Sequence, residues 1–381
     1  MKAASLAAVA ALAIGLALPG DARAQALTED TLTAELGEVD AAPSIGLGTK
    51  PDDDLSIYAL PIPIVDPTIG NGLAVGGLAT FRVDPSDKLS PRASLAMGAG
   101  YTDSQSWAAG AKLNLSLDDD RYRLQAMGGY GSLNVKFYGL ADGGPLQDNP
   151  VDLNLKGSFL GVSGTTRIAD HWYAGPIYRF LNTTSGFAGA SPPSGISSPE
   201  LQANLSGLGL TTEYDSRDSQ YGPRDGVYAT AQLVNFAKGL GSDFAYASFD
   251  ASGSDYSTLM PGLVLASNVR IAAVGDSTPF FALPFLSLRG FPGGRYLGQD
   301  VWQAQTELRW QIYGPIGLVG FLGAGQAAQS VSDFGSSKLL YAGGAGIRYQ
   351  VSEEERIGVG LDYAVASDGG SAIYFRIGEA F

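Results

Sequence analysis

Two oppositely charged residues in the last third of the sequence have the character of a buried ion pair. Arg289 is followed by Gly290 and Phe291, and Glu307 lies on a later stretch that also carries Arg309. A guanidinium held away from water needs a carboxylate, and its planar fork favours a two-point contact. Gly290 would let the backbone approach its neighbours closely. We therefore expect Arg289 to fold back and pair with Glu307.

The stretch around Glu307 alternates strictly between polar and apolar residues. A period of two is that of a β-strand, and one polar face opposite one apolar face is typical of a membrane-barrel wall. The polar face carries Gln303, Gln305, Glu307, Arg309 and Gln311, and the apolar face carries Trp302, Ala304, Thr306, Leu308, Trp310 and Ile312.

Similar segments recur along residues 55–381, separated by turn-forming residues. We predict sixteen antiparallel strands, an even number that places both ends of the chain on one side of the membrane. The long connections 138–150, 187–200, 275–300 and 329–337 all follow odd-numbered strands. The predicted fold is thus an all-β, 16-stranded antiparallel transmembrane β-barrel of the outer-membrane type. The loop between strands 11 and 12 is expected to fold inward.

The N-terminal residues predict export. Lys2 precedes an apolar run, and Ala22-Arg23-Ala24 resembles a cleavage site, so residues 1–24 are predicted to be a cleavable signal peptide. Residues 25–54 are acidic and are expected to form a flexible periplasmic lead. The expected location is the bacterial outer membrane.

Composition limits the chemistry that the chain can perform. It has no cysteine and a formal net charge of −14, which argue against thiol–metal sites and against nucleic acid as a partner. Its single histidine, His171, lies in a short turn beside two aromatic residues and is more easily explained as structural than as catalytic. We predict no enzyme activity, no cofactor and no metal.

A second charged motif lies between the predicted strands 8 and 9. Asp215, Arg217 and Asp218 precede a turn with Pro223 and Gly226. Alone, this pattern fits a solvated turn whose salt bridge is worth about 0–1 kcal/mol. The motif is expected on the periplasmic side.

Together these motifs resemble the outer-membrane assembly-factor superfamily, the bacterial surface antigen barrels related to BamA and TamA. The resemblance rests on Tyr-Asp-x-Arg-Asp and Pro-x-x-Gly, then Leu288-Arg289-Gly290-Phe291, then the Glu307-x-Arg309 strand. It implies a 16-stranded barrel whose Arg-Gly-Phe loop tip enters the lumen and contacts Glu307 on the wall.

Two departures from the family pattern alter these expectations. The family places an aspartate within Phe-x-Asp-x-Gly, where this sequence has Gly323, so we expect the loop to be held less tightly. Residues 25–54 are also too few for the periplasmic POTRA domains of assembly factors, and we expect a short member lacking them.

The last predicted strand, 371–381, has the character of a barrel-assembly signal. Ile373, Phe375 and Ile377 share one face and Phe381 ends the sequence, although Glu379 stands where an aromatic residue is usual.

The leading functional hypothesis is a barrel that aids insertion or transport of a protein or lipid client through a lateral seam between strands 1 and 16. Pro61 and Pro63 motivate it, because proline removes ladder donors from strand 1. The alternatives are a passive or plugged pore and a structural, partner-anchoring barrel. Expected partners are outer-membrane lipid and lipopolysaccharide, and the barrel assembly machinery during biogenesis.

Overall fold

Sixteen β-strands account for most of the residues that the structure describes. The computed structural model describes residues 55–140, 146–147, 149–187, 201–219, 222–352 and 356–381. Short 3-10 helices occupy Lys238–Leu240, Phe280–Ala282 and Val331–Gly335. The strands are β1 Leu55–Asp66, β2 Gly70–Phe81, β3 Ala93–Thr102, β4 Trp107–Leu117, β5 Tyr122–Phe137, β6 Val151–Ala169, β7 Trp172–Phe187, β8 Leu201–Asp215, β9 Gly226–Phe236, β10 Tyr246–Met260, β11 Leu263–Val274, β12 Asp300–Tyr313, β13 Ile316–Ala328, β14 Leu340–Ser352, β15 Ile357–Ala366 and β16 Ser371–Ile377.

The strands form one antiparallel sheet in sequence order, from β1 to β16. Strands β1 and β16 lie in contact, but register pairs in the described sheet join only consecutive strands. The sheet is therefore a nearly closed barrel, and the predicted fold and strand count are confirmed. None of the helices in the described part of the chain is long and apolar enough to cross a membrane.

The predicted strand boundaries hold to within a few residues, with one instructive exception. The last strand was predicted over 371–381, but β16 ends at Ile377 and Gly378 follows with a φ of 80°. Phe381 therefore lies beyond the strand that carries Ile373 and Phe375. The prediction of one continuous strand to the last residue was wrong, because alternation alone does not show where the backbone turns.

The two ends of the barrel differ, and we name them by their connections. The short-turn end carries the connections after even-numbered strands, such as 170–171, 216–225 and 314–315, and the long-loop end carries those after odd-numbered strands, including 275–299. Segment 275–299 connects β11 to β12, as predicted.

Along β5, the apolar side chains change from the outer face to the inner face between these two ends. Near the short-turn end, Leu124 and Tyr130 are exposed on the outer face. Near the long-loop end, Leu133 and Val135 on the opposite face are buried, and Asn134 takes an outward position. An apolar outer face suits lipid, whereas an apolar inner face makes a dry core. The apolar outer face of this strand therefore ends near Tyr130.

The buried apolar residues of this half form what we call the inner apolar cluster. It draws on β1, β2 and β5 to β10, and it also takes in part of segment 275–299. Its buried members are Ile62, Ile64, Ile69, Ala74, Met127, Leu133, Val135, Leu153, Leu155, Phe159, Ile177, Leu181, Ala203, Leu205, Val234, Phe236, Tyr246, Phe281 and Ala282.

Candidate functional site

Segment 275–299 contacts two different parts of the barrel. Its 3-10 helix, Phe280–Ala282, packs in the inner apolar cluster. Farther along, Leu286, Leu288 and Phe291 pack with wall residues of β14 and β15 such as Leu340. A bridge between Phe285 and Leu297 closes the segment into a narrow loop. The tip of that loop is Arg289.

Arg289 is surrounded by two carboxylates and an aromatic ring. It forms an ion pair with Glu307 of β12, and its Nη1 donates to Asp362 Oδ2 of β15 at 2.8 Å. Its Cζ lies 3.5 Å from the ring centroid of Phe321 on β13. The Arg289 side chain is 4% exposed, and both carboxylate side chains are 0% exposed. A guanidinium this deeply buried needs such partners, because an unpaired charge is costly away from water.

Gly290 fixes the backbone at the tip. Its φ is 106°, a conformation that a side chain strains, and a Cβ would lie 3.2 Å from Ala366 Cβ. Its N–H donates to the Tyr374 hydroxyl of β16 at 2.8 Å. Phe291 is buried and stacks edge-on against Tyr296. The Arg-Gly-Phe tip therefore contacts β16 as well as β12 and β15.

Three further arginines surround the same carboxylates. Arg309 Nε donates to Glu307 Oε2 at 2.9 Å. Arg348 Nη1 of β14 donates to Asp362 Oδ1 at 2.5 Å, and Arg376 Nε of β16 donates to Asp362 Oδ2 at 3.1 Å. We call Arg289, Glu307, Arg309, Arg348, Asp362 and Arg376 the tip network. Each carboxylate in it has at least one arginine besides Arg289.

The acid that the family pattern places at position 323 is supplied from elsewhere. A Cβ on Gly323 would lie 2.9 Å from Leu288 Cδ2, so the Leu288 side chain occupies the space beside this glycine. Asp362, two strands away, provides the second carboxylate to Arg289. Arg289 therefore has two carboxylate partners although position 323 is a glycine.

The motif between β8 and β9 contacts a residue in a connection that is distant in the sheet order. Arg217 Nε donates to Asp215 Oδ1 at 2.9 Å and its Cζ lies 3.9 Å from the Tyr228 ring centroid. Asp218 pairs with Arg356 in the β14–β15 connection. Burial opposes the shift, but the hydrogen bond from Arg356 holds the pKa of Asp218 below its usual value.

Residues 222–226 complete this connection. A Cβ on Gly222 would lie 2.5 Å from the Arg356 carbonyl oxygen. Pro223 is buried, and Gly226 has a φ of 112°. Because β9 and β14 are far apart in the sheet order, the described residues 216–219 and 222–225 reach across the short-turn end of the barrel to Arg356. We call them the crossing turn.

The residues predicted as an assembly signal separate into two groups. Ile373 is exposed on the outer face, and half-buried Phe375 packs against the inner apolar cluster. Ile377 ends β16. The Phe381 main-chain oxygen accepts from Arg309 Nη2 at 2.8 Å, so this residue contacts β12 instead of continuing the strand face.

Sequence reasoning missed Asp362, Arg348, Arg376 and Tyr374. Alternation places Asp362 on the face opposite Leu361 and Tyr363, which is the face that Arg348 and Arg376 share on the neighbouring strands. Alternation thus indicated that the three side chains share a face, but only the strand register shows that they lie close together. Within the described residues, no group of histidine and acidic side chains could hold a metal ion.

Solved structures share this architecture. A BamA from Haemophilus ducreyi lacking POTRA domains 1–3 has a TM-score of 0.57 and 14% identity, over 91% of this chain and 76% of that one. CdiB from Escherichia coli has a TM-score of 0.57 and 12% identity, over 92% and 70% of the two chains. CdiB from Acinetobacter baumannii has a TM-score of 0.56 and 12% identity, over 86% of this chain. The chain spans only 60% of that last protein.

Sequence comparison identifies the family. None of the curated protein sequences matches the chain. The Omp85 superfamily domain, however, matches residues 79–381, which include the tip network, the crossing turn and all strands from β3 onward. The protein therefore belongs to the Omp85 superfamily.

Proposed function

We propose that this outer-membrane barrel of the assembly or translocation type passes a protein or lipid client laterally, through the seam between β1 and β16. In this proposal the tip of segment 275–299 lies in the lumen and acts as a lock. The short-turn end faces the periplasm, and the outer face contacts membrane lipid and lipopolysaccharide. The proposed roles of Leu288, Arg289, Gly290, Phe291, Glu307 and Arg309 follow from this placement.

The observation that carries the proposal is the reach of the tip network toward the seam. Arg289 shares Asp362 with Arg376 of β16, and Gly290 donates to Tyr374 of β16. The loop tip is thus tied directly to one of the two seam strands. Displacement of the tip would remove contacts to β16 directly, without a change in the other strands of the wall.

The seam itself is sparsely paired. Strand β16 has seven residues, the fewest of the described strands, and Gly378 ends it. On β1, Pro61 and Pro63 are two residues apart, so both missing N–H donors point to the same edge of the strand. Few ladder bonds would have to break for this seam to open.

Crosslinking the seam tests the proposal. The chain has no cysteine, so an introduced pair of cysteines can form only the intended disulfide. One cysteine replaces residue 59, 61 or 63 on β1, and the other replaces residue 373 or 375 on β16. Insertion of an unfolded outer-membrane protein and movement of a labelled phospholipid are then measured in proteoliposomes. We expect oxidation of a seam pair to stop at least one activity.

The matched control is a crosslink between Leu361→Cys and Phe375→Cys, which are register partners inside the sheet. This bond should leave activity unchanged. Activity that persists in full with the seam locked would overturn lateral opening. The passive-pore alternative predicts a steady current in planar bilayers that Arg289→Ala leaves unchanged, and the inner apolar cluster argues against it because it fills part of the lumen with dry side chains.

A further inference from the structure

Segment 275–299 makes contacts on both sides of the seam at the long-loop end. Gly293 N–H donates to Thr68 Oγ1 at 2.7 Å, in the connection between β1 and β2. Two residues later, Arg295 Nη1 lies 3.0 Å from Asp368 Oδ2, in the connection between β15 and β16. A single short stretch of the segment therefore links the two connections that flank the seam.

The Thr68 side of this link is held by its own turn. Asp66 Oδ1 accepts from the N–H groups of Thr68 at 2.6 Å and of Ile69 at 2.9 Å, and a carboxylate that accepts such bonds fixes a turn. The Ile69 side chain is buried in the inner apolar cluster, and its carbonyl oxygen accepts from the Thr102 hydroxyl at 2.6 Å. The hydrogen bond from Gly293 therefore ties the segment to a turn that is fixed to β1 and to the inner apolar cluster.

The Asp368 side is held through both carboxylate oxygens. Oδ1 accepts from Gly370 N–H at 3.0 Å, within the connection between β15 and β16. Oδ2 faces the segment, where it pairs with Arg295 and accepts from the Tyr296 hydroxyl at 3.1 Å. The Asp368 side chain is 4% exposed, so this ion pair is better shielded from water than a surface pair. Separating the two groups would leave a buried carboxylate with fewer partners, which is costly.

Both contacts start from one tight turn of the segment. Arg295 N–H donates to the Pro292 carbonyl oxygen at 3.3 Å, which limits the spacing between Gly293 and Arg295. On β1, Pro61 and Pro63 lack the N–H donors of a strand ladder. The turn therefore links the two seam strands, which no register pair joins in the described sheet.

The short-turn end of the seam is built differently. Strand β16 ends at Ile377, and Gly378 N–H donates to the Gly358 carbonyl oxygen of β15 at 2.8 Å. Glu379 then pairs with Arg348 of β14. These contacts bind the residues after β16 to their own side of the seam, so they do not oppose its separation from β1.

We propose that residues 293–296 close the long-loop end of the seam, so that β1 and β16 separate first at the short-turn end. We call the five residues of this link the seam clasp: Thr68, Gly293, Arg295, Tyr296 and Asp368. The seam clasp and the tip network are two ties of one segment, at different heights of the wall. A client then enters the bilayer from the short-turn end while the long-loop end stays shut. This inference rests on the proposed function, because it assumes that the seam opens.

Spin-label distances at two heights of the wall test the seam clasp, with the full chain in detergent micelles. One pair of cysteines replaces Leu73 of β2 and Val365 of β15, near the long-loop end. The other pair replaces Leu55 of β1 and Tyr349 of β14, near the short-turn end. All four side chains are exposed on the outer face. Both pairs should give narrow distance distributions in the otherwise unaltered protein.

The clasp variant combines Thr68→Val with Asp368→Asn, which removes one hydrogen-bond acceptor and one buried charge from the seam clasp. It should broaden and lengthen the long-loop distances and leave the short-turn distances narrow. The matched control, Thr230→Val with Asp250→Asn, makes the same two changes within β9 and β10 and should change neither pair. Circular dichroism measures strand content, and Thr68→Val alone replaces the clasp variant if strands are lost.

Arg289→Ala separates the failure of this inference from the failure of the proposed function. It should broaden the short-turn distances and leave the long-loop distances narrow, because the seam clasp remains. Long-loop distances that stay narrow in the clasp variant, or that broaden in Arg289→Ala as much as the short-turn distances, would overturn the seam clasp. Short-turn distances that do not change in Arg289→Ala would contradict the lateral seam instead, and the clasp variant and its control would still decide whether the seam clasp holds the long-loop end.

Discussion

Segment 275–299 is held at two places by opposite kinds of interaction. At Phe281 and Ala282 it is buried among aliphatic and aromatic side chains of the inner apolar cluster. At Arg289 it is buried among charges, with Glu307 and Asp362 as partners. The strength of the first contact depends on the apolar area removed from water and hardly on the orientation of the side chains. The strength of the second depends on charge and on hydrogen-bond geometry.

This difference shows which end of the segment can be released. If Phe281 left its place, it would expose apolar surface and leave a void in the wall. If Arg289 left, Glu307 would keep Arg309, and Asp362 would keep Arg348 and Arg376. The wall carboxylates would therefore stay neutralised. We infer that the apolar contact is a permanent anchor and that the ionic contact is a reversible one.

The largest effect is expected for Asp362→Asn. Three buried arginines share this carboxylate, and removing one partner of a buried ionic group costs about 3–5 kcal/mol. The free energy of unfolding from urea titration in micelles measures the loss. Asp250→Asn is the matched control, because Asp250 pairs with Arg270 at a more exposed site. Equal losses in both variants would contradict a central role for Asp362.

Leu205→Ala tests the apolar anchor. Leu205 is 1% exposed in the inner apolar cluster, and truncating such a leucine costs about 2–5 kcal/mol. Because it is remote from the charges, the pairing of Arg289 should persist. The same urea titration gives the loss, and Leu210→Ala on the exposed outer face of β8 provides the control. A larger effect at Leu210 than at Leu205 would show that this half has no dry core.

A smaller effect is expected for Gly323→Asp, which restores the acid of the family pattern. The side chain would meet Leu288, and overpacking costs about 1–3 kcal/mol. Leu288→Ala added to Gly323→Asp should recover part of that loss by making room. An unfolding free energy that rises in the single variant would mean that position 323 is still a vacant acid site.

The smallest effect is expected in the crossing turn. Asp218→Asn should cost about 1 kcal/mol or less, because its pair with Arg356 is partly exposed. The lowered pKa of Asp218 means that this contribution is present above about pH 3.9, the ordinary pKa of an aspartate, and is lost as the pH falls through the lower folded-state pKa. Unfolding midpoints at pH 7 and pH 3 measure it. A stability gap between the two proteins that widens on acidification would contradict this sign.

Period-two alternation and turn residues were enough to predict sixteen strands and the common face of Glu307 and Arg309. They could not predict that Asp362 is the second carboxylate partner of Arg289, because that contact depends on the register of β14, β15 and β16. The crossing turn was also missed, since its contacts with Arg356 and Gln311 join residues far apart in the sheet. The end of β16 at Ile377 followed from the backbone at Gly378, which alternation does not reveal.

We propose that Arg289 holds the seam strand β16 in place. Spin labels on cysteines at Ala59 of β1 and Ile373 of β16, both exposed on the outer face, report the distance across the seam. The unaltered protein should give one narrow distance distribution, and Arg289→Ala should give a broader and longer one while the strand content stays the same. Identical distributions in the two proteins would contradict the claim.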